Sequence, residues 1–163
     1  EEAVAGVRGA TAVAADLSER ASVEALVAAA GDVHVLVNNA GFQHVSRLEE
    51  FDEDTWERLL AVMLTAPFLL TKHVLPSMYE AGWGRVVNIA SVHGLVASPF
   101  KAGYVAAKHG LIGLVKVLAI EGAEHGISAS ALCPAYVRTP LVEAQIQAQA
   151  AATGLAVPPQ RNW

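Results

Sequence analysis

Tyr104 and Lys108 stand four residues apart in a stretch of helical periodicity, so their side chains share one face. An ammonium beside a phenol favours the ionised phenol. It brings a group with a reference pKa of about 10 toward use as an acid or base near neutrality. Ser91 follows a β-rich run at residues 85–90. Its hydroxyl can orient a substrate oxygen in the same crevice while the tyrosine moves a proton. Alone, a Tyr-x-x-x-Lys pair is also what two polar residues on an amphipathic helix look like. Its weight depends on the elements around it.

Those elements alternate. Strands are expected at residues 11–15, 33–37, 85–90 and 127–132. The run 33–37 is almost wholly apolar, which suggests burial on both faces. Ser18 is the expected N-cap of a first helix that ends before Gly31. Asp52, Glu53 and Asp54 crowd the start of a helical run to about Glu80, as suits the positive end of a helix dipole, with kinks expected at Pro67 and Pro76. Further helices are expected at 101–121 and 141–152. Strand, helix, strand, helix implies an α/β fold: a doubly wound parallel sheet, Rossmann-like, in a single domain over residues 1–163. Ligands of such sheets bind beyond the carboxyl ends of the strands. The clusters 38–41, 91–93 and 134–139 lie there.

Composition narrows the possibilities. The 163 residues are 53% hydrophobic and 17% charged, enough apolar surface for a packed core. Net charge is −5 with no Lys/Arg run, so no nucleic-acid partner is expected. The apolar stretch 59–70 holds Thr65 and Pro67 and is shorter than the about 20 residues of a bilayer span, so no membrane partner is expected. One cysteine, Cys133, fits a reducing cytoplasm and reads as a packed thiol. His34, His44, His73, His109 and His125 show no metal-ligand spacing, and no metal is expected. No Gly-x-Ser-x-Gly nucleophile elbow occurs, which removes a serine hydrolase.

In company, the Tyr-Lys pair gains meaning. Asp16-Leu17, Asn38-Asn39-Ala40-Gly41, Ser91 and the segment from Cys133-Pro134 through Val137 to Thr139-Pro140 each follow a strand. With Tyr104 and Lys108 this combination resembles the short-chain dehydrogenase/reductase family, over about residues 10–150. The resemblance implies that Tyr104 is the catalytic acid/base and that Ser91 polarises the substrate oxygen. Lys108 would hold the nicotinamide ribose. It places Asp16 and Leu17 by an adenine and Asn38, Asn39 and Gly41 by the adenosine ribose. Pro134, Val137 and Thr139 would lie toward the nicotinamide carboxamide. The implied cofactor is NAD.

A narrower resemblance, to the bacterial D-3-hydroxybutyrate dehydrogenases, is carried by three segments: Gly41-Phe42-Gln43-His44-Val45, residues 90–96, and residues 101–110. Thr139-Pro140-Leu141-Val142 adds to it. It implies that Gln43, His93, Lys101 and Gln145 hold a substrate carboxylate. Charge-assisted hydrogen bonds grip such a handle best, and Lys101 lies one helical turn before Tyr104. The implied partners are a small hydroxy acid and its keto acid, within a homo-oligomer that is a tetramer by resemblance. A 3-oxoacyl thioester reductase of the same family is the nearest rival, and it has no free carboxylate for His93 and Lys101.

Three departures stand against the family pattern. The glycine-rich turn that seats a pyrophosphate does not occur, so the chain is expected to lack the first βαβ unit, to be a partial domain, and to bind NAD weakly by itself. An inactive remnant is the alternative that this supports. Near the other end, the family's last strand and its preceding helix are expected to be absent or altered after about Thr153. Finally, Met63 stands where many members carry an Asn that supports a water behind the lysine, and methionine has no amide to offer.

Overall fold

The computed structural model describes residues 6–135 and positions 143, 146 and 150, which are helical as expected for 141–152. Three parallel strands make the sheet: β1 (Val35–Asn38), β2 (Gly84–Ile89) and β3 (Ile127–Leu132), in the order β1-β2-β3. α1 (Arg20–Ala30) precedes β1, α2 (Glu53–Leu60) and α3 (Ala66–Ala81) join β1 to β2, and α4 (Ala102–Gly122) joins β2 to β3. Parallel strands need crossovers, and helices supply them. This is an α/β parallel sheet of Rossmann type, present in part.

The core lies between the sheet and α3 and α4. Val74 and Met78 of α3, Leu118 of α4, Val86 of β2 and Ile127 of β3 form one buried cluster. Val23 of α1 packs with Ala66, Leu69 and Leu70 of α3 in a second. The opposite sheet face is open among the described residues. Val35 is 52% and Val37 55% exposed, against the expectation that this strand is buried on both sides. Apolar strands become buried only where a second layer of helices covers them, and the described helices pack on the other face.

Two other expectations are corrected. Residues 11–15 do not form a strand. A strand is a hydrogen-bonded ladder, and no described segment lies alongside this one. Ser18 does not cap α1. Its hydroxyl donates to Asp16 Oδ1 at 2.6 Å and its backbone N–H to the same oxygen at 2.9 Å, forming a local turn before the helix. Asp52 stands at the helix start as expected, and there it also serves as the N-cap of α2, accepting from the Thr55 N–H at 2.7 Å.

Between α2 and α3 the chain continues as a π-helical turn, Ala61–Thr65. Pro67 explains it. Proline has no N–H for the Met63 carbonyl, so the α-helical ladder must break here. Ala66 N–H donates five residues back, to Ala61. The continuous helical run Glu53–Ala81 is 29 residues and apolar enough to cross a membrane by length, so shortness does not exclude a span. Its apolar side chains Leu59, Met63, Ala66, Leu69, Val74 and Met78 instead make up the core.

β1 is an edge strand among the described residues, with an apolar outer face. An unpaired apolar edge templates association. Expressed alone, the 163-residue chain is expected to self-associate in sedimentation velocity, and Val37→Lys to reduce this. A clean monomer at all concentrations would contradict it.

Candidate active site

The carboxyl ends of β2 and β3 are tied together beyond the sheet. Ala90 N–H donates to the Leu132 carbonyl at 2.8 Å and Val92 N–H to the Pro134 carbonyl at 2.9 Å. This fixes Ser91 at the top of β2. Ser91 caps the short turn Val92–Gly94, its oxygen accepting from the His93 N–H at 3.1 Å. Gly94 lets that turn rest directly on α4: a β-carbon built there falls 2.7 Å from the Lys108 carbonyl oxygen. The Ser91–His93 turn is thereby pressed against the helix that carries Tyr104 and Lys108.

Lys108 is buried, and its Nζ donates to the Ile89 carbonyl at 2.6 Å. It lies 5.6 Å from the Tyr104 ring centre. Burial pulls the Lys108 ammonium down to about 8, partly opposed by Cys133. The Cys133 thiol is half-buried and free. The tyrosine ring packs beside Leu59, Met63 and Ala107, and the His93 ring meets it edge-on at 6.1 Å. Met63 is core packing as a side chain, with its sulfur under Gly41.

His93, beside the tyrosine ring, also faces Lys101. Lys101, the residue before α4, is 1% exposed, and its Nζ has no hydrogen-bond partner among the described residues. Gln43 Nε2 is likewise buried and unpartnered. Buried donors without partners are rare and costly, and a ligand that accepts from them resolves the cost. Burial holds the Lys101 ammonium below its usual range. Burial, then the charge of Lys101, lowers His93. His93 Nε2 is 2.8 Å from Ser98 Oγ, a partner that nothing in the sequence pattern singled out. Lys101 and Gln43 thus present buried donors without acceptors.

The cleft beyond β1 has a different character. Asp16, Leu17, Ala40, Gly41, Phe42 and Arg58 line about 620 Å³ of open space. The two hydrogen bonds from Ser18 hold the Asp16 carboxyl below its ordinary value. Arg58, which sequence reasoning missed, stacks its guanidinium 5.6 Å over Phe42. Asn38 lies at the strand end as expected, but its side chain is committed to the fold: Nδ2 donates to Asn88 Oδ1 at 2.9 Å across the β1–β2 pair. Asn39 and Gly41 are exposed, bordering the cleft and an adjoining apolar groove. The small residues and single acceptor carboxylate fit the adenosine half of a dinucleotide. Val137, Thr139 and Gln145 lie outside the described residues.

The chain is similar to known proteins in sequence and in fold. The sequence profile of the short chain dehydrogenases matches residues 1–150. A D-beta-hydroxybutyrate dehydrogenase of Rhizobium meliloti is 51% identical over 139 residues, covering 85% of this chain and 54% of that protein. One of Cupriavidus necator is 46% identical over 147 residues, covering 88% and 57%. The chain thus spans about half the length of these curated relatives. Among solved structures, a gluconate 5-dehydrogenase from Burkholderia cenocepacia in complex with NADP and tartrate superposes with a TM-score of 0.74 at 36% identity, covering 79% of this chain and 52% of that one. A 4-hydroxyisoleucine dehydrogenase mutant complexed with NADH and succinate gives 0.78 at 34%, covering 85% and 59%. With its family profile matched over nearly the whole sequence and its sheet and helices superposing on those structures, the chain belongs to the short-chain dehydrogenase family.

Proposed function

We propose that the full-length protein carrying this chain oxidises D-3-hydroxybutyrate to acetoacetate with NAD, in the cytoplasm. The observation that carries this reading is Lys101: a lysine 1% exposed with no partner for its Nζ, facing His93, while a second unpartnered donor, Gln43, stands on the loop that the Ser46 N–H ties to Phe100. A carboxylate supplies acceptors for all three. A thioester, with no carboxylate, leaves Lys101 unpaired, which disfavours the 3-oxoacyl reductase reading. The relatives named for hydroxybutyrate support the same choice. NAD rests on that likeness, since structural neighbours carry either NADP or NADH.

The roles are those that the family resemblance implies. Lys101, His93 and Gln43, with Gln145, hold the carboxylate and so fix the C3 hydroxyl. Ser91 hydrogen-bonds that oxygen, and the Tyr104 phenol oxygen takes its proton. Lys108, anchored on the Ile89 carbonyl, sets a cation beside the tyrosine as negative charge moves onto it. A bound dinucleotide would supply the acceptor for the C3 hydride. Asp16, Leu17, Asn39 and Gly41, with the backbone at Asn38, border its adenosine half, and Pro134, Val137 and Thr139 its nicotinamide end. Exposed Phe68, Val117 and Ile120 on α3 and α4 leave apolar surface for a homo-oligomer.

The test compares D-3-hydroxybutyrate with its methyl ester, using NAD and then NADP. The ester keeps the alcohol and loses the charge. A strong preference for the acid with NAD is expected. Equal rates on acid and ester would overturn the carboxylate reading.

A further inference from the structure

Phe100 is the single described non-glycine residue with a left-handed backbone, at φ +67°. For a bulky side chain this is a true outlier, and such strain persists only where surrounding structure imposes it. Two sets of contacts impose it here. Ser46 N–H donates to the Phe100 carbonyl at 3.0 Å. The Arg47 guanidinium lies 5.9 Å over the Phe100 ring. The next residue is Lys101. Leu95, Val96 and Pro99 before it are exposed, yet Lys101 is 1% exposed. The chain goes from surface to full burial across the reversal at Phe100. Ser46 and Arg47 also follow Gln43 closely, so the loops bearing the two unpartnered donors are joined at this point.

We propose that Phe100, held left-handed by Ser46 and Arg47, is a positioning residue that aims Lys101 at the substrate carboxylate and ties it to the Gln43 loop. This rests on the carboxylate reading above. It makes backbone tolerance, not size or apolarity, the property that matters at position 100. Glycine and asparagine accept a left-handed backbone, and a β-branched residue does not. A role in packing alone predicts the opposite order.

The experiment measures kcat/KM for D-3-hydroxybutyrate and for its methyl ester in the full-length protein, with thermal melts to verify folding. Phe100→Val is expected to lose about tenfold or more of the acid-over-ester preference through a raised KM for the acid, as a displaced charge-assisted hydrogen bond would. Phe100→Gly and Phe100→Asn are expected to stay within about threefold of the parent, because their backbones keep the conformation. Ser46→Pro removes the N–H that holds the Phe100 carbonyl and should act like Phe100→Val. It decides the matter if the valine variant does not fold. Equal loss in the Gly, Asn and Val variants overturns the proposal in favour of ring packing. Lys101→Met separates the two levels. If it leaves the preference intact, the carboxylate reading fails. If it abolishes the preference while Phe100→Val and Ser46→Pro do not, only the positioning role fails.

Discussion

Tyr104→Phe in the full-length protein is expected to lower kcat by roughly 10²–10⁴-fold, the usual contribution of a positioned general acid or base. Dinucleotide affinity is expected to change little. The substitution removes one oxygen and leaves the ring, which packs with Leu59, Met63 and Ala107. Lys108 keeps its hold on the Ile89 carbonyl whether or not the phenol is present. The geometry that would seat the ribose therefore survives. Steady-state kinetics gives the first quantity, and fluorescence titration with NADH the second. Turnover within tenfold of the parent would mean that another group moves the proton. Lost NADH binding alongside lost turnover would instead mean that the oxygen holds the site together.

The site was legible in the sequence where it depends on local spacing, and hidden where it depends on what the chain meets elsewhere. Tyr104 and Lys108 share a face because a helix has 3.6 residues per turn, and Ser91 ends a strand because 85–90 reads as one. Nothing local says that residues 11–15 remain unpaired, since pairing is a property of two segments. The sequence shows Asn38 opening a turn after a strand, while the partner of its amide, Asn88, lies fifty residues away. Pro67 was visible as a disruption, and the structure shows its form: a π-helical turn placed ahead of the proline rather than a simple kink. Phe100 is the extreme case. A left-handed backbone is expected at Gly or Asn, and an aromatic residue conceals it. Only the contacts from Ser46 and Arg47 account for it. Ser98 and Arg58 are likewise ordinary residues in the sequence, made notable by His93 and by the cleft beside Asp16.

Lys101→Met is expected to abolish most of the preference for an acid substrate over its ester. A hydrogen bond to a charged group contributes about 1.5–3 kcal/mol, roughly 10- to 150-fold. Pairing by Nζ is the stronger case here, because the site offers no competing acceptor among the described residues. Stability should move the other way. Burial lowers the Lys101 pKa in the ligand-free protein. Below that lowered value the fold carries a buried, unpaired ammonium, and between it and 10.5 the unfolded chain binds the extra proton. The group therefore destabilises at low pH, and its cost fades as pH rises through the window. Methionine removes the charge, so the variant is expected to melt at an equal or higher temperature than the parent at neutral pH. A bound carboxylate reverses the sign by favouring the ammonium. Affinity for the acid should then fall as pH rises through the lowered pKa, while affinity for the ester should not. His93, held low by burial and by the same ammonium, is the titrating group recorded facing Lys101. Calorimetry of acetoacetate binding in buffer pairs of different ionisation enthalpy, repeated at pH values rising toward 10.5, measures the proton taken up. Net uptake in the parent and none in Lys101→Met is the expected pair of results. Equal uptake in both across that whole pH range would assign the proton to another group and remove Lys101 from the carboxylate site.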